Sequence, residues 1–419
     1  MLEKVRAFVS KEAVLVVAVL AAAVSCALVP FDEGYASYVD WRTLTLLFCL
    51  MAVVTGLRFM GVMRLLGSWA VSRASSMRTL AFALVALTFV SSMAVTNDVA
   101  LITFVPLALV VLSETGEGRH TASVVVLMTV SANLGSMLLP VGNPQNLFLY
   151  RASGMGFLQF VLTMAPIAGL SAAMLVAALL IVFRGNAEGH PDCASRKKPS
   201  KPTGRQGFLF VSYLLLFALS IMAVVGLIDT FAVAALVAFA LLFFDRRTLA
   251  KVDYGLLLTF VALFVFVGNM ARIPAVHEVL SALVGIAPFY AAVGSSQVIS
   301  NVPAAVLLSG FTNDWTALIV GTNLGGLGTP HCFYGQPYLA QNCHCLGFGG
   351  KASLFGGVHG LECGIPCRPM CGKCGIRVGL SPRDAVFWQI QRISKALLSH
   401  VCFLPAKQGV YQFVVLFAG

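Results

Sequence analysis

The stretch Ser91-Ser92-Met93-Ala94-Val95-Thr96-Asn97-Asp98-Val99-Ala100-Leu101-Ile102 decides how this chain is read. It is preceded by the apolar run LAFALVALTFV at 80–90 and runs on into VALITFVPLALVVL at 99–112. A Thr-Asn-Asp triplet in the middle of such a run needs a reason. An ionisable group at membrane depth is costly, and where it occurs it is paired or hydrated and serves a function.

The setting is a membrane. The 419 residues are 58% hydrophobic and 11% charged, with a mean hydropathy of +0.89. A soluble chain carries about 25% charged residues. Apolar runs near the roughly 20 residues that span a bilayer recur along most of the sequence. They are read at 13–30, 42–60, 79–96, 99–112, 121–140, 156–183, 208–228, 231–244, 254–270 and 278–293, with a broken region at 294–329. The first run is followed at once by others and lacks a cleavage site, so it is read as a helix and not as a signal peptide. The net charge of +11 does not call for nucleic acid. The basic residues lie in short segments between apolar runs, where the positive-inside rule puts them. Arg58, Arg64, Arg73 and Arg78, and the basic linker 184–206 with Arg196, Lys197, Lys198, Lys201 and Arg205, are expected on the cytoplasmic side. The acidic loop 31–40 is then outside and the N-terminus cytoplasmic, which is the orientation of a multi-pass protein of the cell membrane.

Three blocks recur in the same order. Val39-Asp40-Trp41 opens a run ending near Gly56, as Val252-Asp253-Tyr254 opens one ending near Gly268. Ser91-Ser92-x-x-x-Thr96-Asn97 matches Ser295-Ser296-x-x-x-Ser300-Asn301, and Ser131-Ala132-Asn133-Leu134-Gly135 matches Gly321-Thr322-Asn323-Leu324-Gly325. Asp40 lies at the acidic, outer end of its run, whereas Asp253 follows Arg246, Arg247 and Lys251 at the inner end of its own. The halves therefore enter the membrane in opposite senses. Inverted repeats of this kind mark secondary transporters, with the substrate bound near the midplane where the halves meet. The expected fold is an all-α polytopic membrane protein of two inverted-topology repeats, with re-entrant or broken-helix hairpins and an irregular Cys-rich C-terminal tail. Its divisions are 1–183, the linker 184–206, 207–329 and the tail 330–419.

In such carriers a helix broken at mid-membrane aims freed amides at an anion and freed carbonyls at a cation. Thr96, Asn97, Ser300 and Asn301 have side chains that can donate to a carboxylate or accept from sodium. Asp98 would be a hard oxygen ligand for a cation, or a proton site. The plainer reading is that Thr96 and Asn97 cap a helix and hold neighbouring helices together. Gly142-Asn143-Pro144-Gln145-Asn146 sets a helix breaker and three amides between apolar flanks, suited to wrap a substrate at a broken helix tip. The plainer reading there is a polar surface loop, with Arg151 snorkelling beside Tyr150.

TNDVALITFVPL, ANLGSMLLPVGNPQN, SNVPAAVLL and GTNLGGLGT together resemble the ion-transporter superfamily of secondary carriers over residues from about 10 to 329. This group includes citrate-transporter-like permeases, sodium/dicarboxylate symporters, arsenite permeases and some sodium/proton antiporters. The resemblance implies an elevator-type carrier, with no enzymatic activity, whose two hairpin tips bind a small anion and sodium. It points to Thr96, Asn97, Asn143, Ser300, Asn301 and Asn323, to which Asp98, Asn133, Gly142, Asn146 and Thr322 are added as binding candidates. It also implies a homodimer in the lipid bilayer, with no resident cofactor beyond a coupling sodium ion or proton. The chain departs from the Ser-Asn-Thr tips of dicarboxylate carriers, having Thr-Asn-Asp and Ser-Asn-Val instead. Arsenite efflux and sodium/proton antiport are the alternatives, with Asp98 as the titrating group.

After Thr329 the sequence changes character, and eight of the eleven cysteines lie beyond it. The C-x3-C-x3-C-x2-C spacing at 363–374 has the form of a zinc site. Against that, codons for PHCFYGQPYLA at 330–340 can be chosen so that a one-nucleotide shift reads Leu-Ile-Ala-Ser-Met-Ala-Ser-Leu-Ile-Ser. That stretch would continue the broken helix, so the tail is read as a frameshift, which would make this copy an inactive carrier lacking its last helix. No P-loop and no HExxH is present, which argues against primary active transport and intramembrane metalloproteolysis. His277-Glu278 is read as a helix start at the interface, and Asp314 as a loop residue.

Overall fold

The computed structural model describes residues 12–114, 120–184, 204–326, 403–405 and 411–413. The chain divides into two compact units, 1–332 and 333–419. The regular elements among the described residues of the first are all helices. In the second, β1 (Phe403–Pro405) pairs antiparallel with β2 (Tyr411–Phe413), Leu404 opposite Gln412. Residues 185–203 of the basic linker and the cysteine motif at 363–374 lie outside the described residues.

The first repeat opens with α1 (Ala13–Leu28), a short α2 (Tyr35–Tyr38) and α3 (Trp41–Phe59). Gly61, at φ +74, turns the chain into α4 (Val62–Ser72), a conformation that an L side chain resists. Next come α5 (Met77–Val95), α6 (Asn97–Glu114) and α7 (Thr121–Ser136). A single 3-10 turn at Pro140–Gly142 leads into α8 (Pro144–Ser153), and α9 (Phe157–Val182) closes the repeat. The second half has α10 (Gly204–Val225), α11 (Thr230–Phe244), α12 (Arg246–Leu249) and α13 (Tyr254–Arg272). It continues through α14 (Pro274–Ile286), α15 (Pro288–Ile299), α16 (Asn301–Ser309) and α17 (Trp315–Gly325). Among the described residues, α3, α5, α9, α10 from Gly207 and α13 are long and apolar enough to cross a membrane.

The apolar run expected at 278–293 is not one helix. It divides between α14 and α15, which meet at 109°. Pro288 has no N–H to donate and disfavours helix at the residue before it, and Ala287 sits at φ −153, ψ 72.

Repeat correspondence extends to backbone geometry. Asp40 caps α3 from φ −77, ψ 87 by accepting from the Thr43 N–H at 3.0 Å. Asp253 caps α13 from φ −77, ψ 82 by accepting from the Leu256 N–H at 3.0 Å. The packing is reciprocal: α1 and α2 lie on α13 of the other half, while α11 and α12 lie on α3. Such an exchange is what a pseudo-two-fold axis between repeats produces. Where two helices meet most closely, glycine is required. A Cβ on Gly135 of α7 would meet the Phe89 carbonyl oxygen of α5 at 2.1 Å, and one on Gly325 of α17 would meet the Val293 carbonyl oxygen of α15 at 2.7 Å. Outward-facing Leu158, Leu162 and Ile181 on α9, and Leu215, Phe239 and Phe243 on α10 and α11, are exposed, as lipid-facing residues are. The chain is a multi-pass membrane protein.

Candidate functional site

The helices α5 and α6 pack on each other and are joined by one residue, Thr96. The helices α15 and α16 pack together in the same way and are joined by Ser300. Thr96 has φ 71 and ψ 150; Ser300 has φ 77 and ψ 162. They are the two non-glycine residues with positive φ among the described residues. This region of backbone space belongs almost entirely to glycine, and holding another residue there costs about 1–3 kcal/mol. Each tip restarts a helix in the same way: the Ala100 N–H donates to the Thr96 carbonyl at 3.1 Å and the Ala304 N–H to the Ser300 carbonyl at 3.1 Å. The amides of Asn97, Asp98 and Val99 at the first tip, and of Asn301 and Val302 at the second, where Pro303 has no N–H, lack an intrahelical acceptor, and the helix dipole places positive potential there. Among the described residues, neither the Thr96 nor the Ser300 hydroxyl has a hydrogen-bond partner, and both residues are half-buried.

Amides connect the first tip to the second repeat. Asn97 Nδ2 donates to Asn133 Oδ1 at 3.0 Å, and Asn133 Nδ2 donates to the Thr129 carbonyl at 3.0 Å. At the end of α7, Ser136 Oγ donates to the Asn133 carbonyl at 2.9 Å and accepts from Asn143 Nδ2 at 2.7 Å. Asn146 Nδ2 lies 3.4 Å from the Ser136 carbonyl and 3.3 Å from that of Met137, so it serves acceptors that the helix end leaves over. Asn323 Nδ2 then donates to Asn146 Oδ1 at 2.6 Å and to the Ile319 carbonyl at 2.7 Å. Asn133 and Asn323 each bond the carbonyl four residues back, so the repeat extends to this detail. Asn143, Asn146 and Asn323 are buried. Gly142 makes room for the turn: a Cβ there would lie 2.1 Å from the Ser136 carbonyl oxygen.

The predicted residues therefore divide. Asn97, Asn133, Asn143, Asn146 and Asn323 form one hydrogen-bonded network, with Gly142 against its backbone. Asn301 packs on Gly326 just beyond α17, where a Cβ would come within 2.3 Å of Asn301 Nδ2. Thr322 turns inward, its hydroxyl donating to the Leu318 carbonyl at 2.7 Å. Asp98 is exposed in the first turn of α6. Ser136 is a participant that the sequence reading did not single out, although a hydroxyl at the end of the SANLGS block signals it. Asp314 is the N-cap of α17, accepting from the Ala317 N–H at 3.0 Å. The described residues contain no cluster of three or more His, Cys, Asp or Glu side chains able to hold a metal.

The sequence pattern of the citrate transporter family matches residues 3–330, ending where the composition changes. The inner membrane protein YbiR of Escherichia coli is 33% identical over 310 residues, covering 72% of this chain and 79% of its own. An uncharacterized transporter of Methanocaldococcus jannaschii, MJ0456, is 32% identical over 294 residues, covering 70% of this chain and 78% of its own. A silicon efflux transporter of rice, LSI3, is 32% identical over 147 residues, covering 35% of this chain and 30% of its own.

Proposed function

This chain belongs to the citrate transporter family, and on that premise we propose that it is a secondary carrier of a small anion, citrate or a dicarboxylate, coupled to sodium ions or protons. The observation that carries this reading is the pair of strained tips. Two matched residues, Thr96 and Ser300, hold an unfavourable backbone conformation while their hydroxyls have no partner among the described residues. Strain of this kind persists where the surroundings over-determine it, and such places are commonly binding sites. Helix-start amides beside a hydroxyl suit a carboxylate, since they supply donors and positive potential; the second tip has no acidic residue in its first turn, whereas the first has Asp98, whose charge a bound cation or proton would offset.

In this reading Thr96, Asn97, Ser300 and Asn301 contact the anion, and Asn143, Asn146 and Asn323 fix the spacing between the tips. The two strained tips carry the anion across by an elevator-type movement. The protein works as a homodimer in the cell membrane, with the N-terminus and the 184–206 linker on the cytoplasmic side. A melting-temperature screen of the purified chain in detergent tests the substrate class. Citrate or succinate should raise the melting temperature, more in sodium than in potassium or with a marked pH dependence. Stabilisation by arsenite and by neither carboxylate would contradict the assignment.

A second reading, efflux or cation/proton exchange, is favoured by Asp98. It is exposed beside the first tip, while the matching position in the second half is Val302. One carboxylate at one tip breaks the symmetry of the site in the way that a single proton-binding group would. The partial match to a transporter named for silicon efflux points in the same direction.

A further inference from the structure

We propose that α4 is a binding surface for anionic phospholipid headgroups. At 11 residues it is about 16 Å long, too short to cross a bilayer core of about 30 Å. It links the end of α3 to the start of α5 and packs against α5 and α6. Its inner stripe is Met63, Gly67, Ala70 and Val71, all buried. Gly67 brings the helix down onto α6: a Cβ there would lie 2.2 Å from Leu107 Cδ2.

The opposite face is apolar and basic together. Leu65 is 48% exposed, Leu66 40% and Trp69 57%. Arg64 and Arg73 are exposed at the two edges of this face, about half a turn apart around the helix, and the Arg73 guanidinium stands 5.0 Å from the centre of the Trp69 ring. A tryptophan with its face covered by a cation suits the headgroup level of a bilayer, where ring and charge are both served. Among the described residues no carboxylate pairs with these arginines. Residues 41–97 contain five arginines and no Asp or Glu, and neither Arg64 nor Arg73 has an ion pair among the described residues. Arg78 is already engaged, donating to the carbonyls of Phe183 and Arg184 at 3.1 and 2.8 Å.

The second repeat shows that the basic residues are not a requirement of the fold. Its counterpart α14 also exposes apolar side chains, Val279, Leu283 and Ile286, yet it carries His277 and Glu278 and has no Arg or Lys. An apolar face alone would accept any lipid. The added arginines on α4 select a leaflet carrying negative charge, at roughly fivefold in affinity per basic residue.

The test uses the full chain with Trp41, Trp315 and Trp388 replaced by Phe, leaving Trp69 as its fluorophore. It is reconstituted into phosphatidylcholine vesicles doped with either brominated phosphatidylglycerol or the same amount of brominated phosphatidylcholine. Phosphatidylglycerol should quench Trp69 several-fold more effectively. R64Q/R73Q should reduce that advantage to parity while quenching by brominated phosphatidylcholine persists, which reports that α4 still lies in lipid. R64K/R73K should keep the advantage. Equal quenching by the two lipids in the parent, or a preference that survives R64Q/R73Q, would overturn the proposal. No substrate enters this assay, so its outcome is independent of the transport reading.

Discussion

Asn323 and Asn146 are 177 residues apart in the chain, and the side-chain amide of one donates to that of the other at 2.6 Å inside the protein. The bond joins α17 of the second half to the turn that opens α8 of the first. It is a point where the repeats are fastened together beside the proposed site.

Removing either partner should be costly. Asn323→Ala leaves Asn146 Oδ1 buried without its donor, and Asn146→Ala also strands the Ser136 and Met137 carbonyls. Each loss is worth about 1–3 kcal/mol. Because the two residues share one interaction, the double variant should fall short of the sum of the singles. Urea or thermal unfolding in detergent measures this directly, and strict additivity would show that the bond does not couple the halves.

Thr96→Gly and Ser300→Gly should behave in the opposite way. Each relieves about 1–3 kcal/mol of backbone strain and forfeits no hydrogen bond of the hydroxyl, against about 0.5–1 kcal/mol of added chain entropy. The expected outcome is a higher melting temperature with weaker substrate binding. A lower melting temperature in both variants would mean that the positive-φ tips are not strained.

How much of this was legible in the sequence depends on the residues involved. Val39-Asp40-Trp41 and Val252-Asp253-Tyr254 announced two helix starts, and the structure gives them matching caps because Asp accepts from the N3 amide wherever it precedes a helix. The Ser-Ser-x-x-x-Thr/Ser-Asn blocks announced two broken points. Their positive φ was not readable, since Thr and Ser are residues that avoid it. Nor was the network: Asn323 finds Asn146 through tertiary packing, and no spacing encodes that partner. The helix α4 was missed because it is an 11-residue piece between longer apolar runs, whereas α14 was run together with the start of α15. In the second case Pro288 was the signal. The divisions at 184–206 and 330–419 rest on composition.

Close approach fixes a third expectation. Gly142→Ala and Gly135→Ala each drive a methyl group to 2.1 Å from a backbone oxygen, which cannot rotate away. Both should destabilise by about 1–3 kcal/mol. Gly169→Ala, in α9 with open space around it, should stabilise by about 0.5–1 kcal/mol. Equal effects at the three positions would contradict the packing described.

Asp32 lies in the loop between α1 and α2, outside the membrane-spanning segments; Arg272 at the end of α13 pairs with it at 2.6 and 3.0 Å, and that bond holds the Asp32 carboxyl below its usual range. A carboxyl whose folded pKa is depressed adds stability above its unfolded pKa and loses it as pH falls through the folded value. Asp32→Asn should therefore lower the melting temperature slightly at neutral pH. The difference from the parent should close below the ordinary carboxylate range and shrink in high salt, because the pair is exposed. A difference that persists unchanged at acid pH would assign the effect to something other than the ion pair.

For the tail, we propose that Thr329 is followed by a shift of reading frame. Sequencing the coding DNA across the Thr329–Pro330 junction should reveal one added or lost nucleotide whose correction restores an apolar helix. If the frame stands, zinc content of the purified chain decides whether the cysteines at 363–374 form a metal module.

The most direct measurement is uptake of radiolabelled citrate and succinate by proteoliposomes that hold the chain expressed from the resequenced gene. We expect saturable accumulation of at least one of them that requires an inward sodium or proton gradient. Asn97→Ala should reduce it about 10- to 100-fold, as the loss of a hydrogen bond to a charged ligand would. Uptake indifferent to both gradients, or none of either anion under any gradient, would contradict the assignment as a coupled anion carrier.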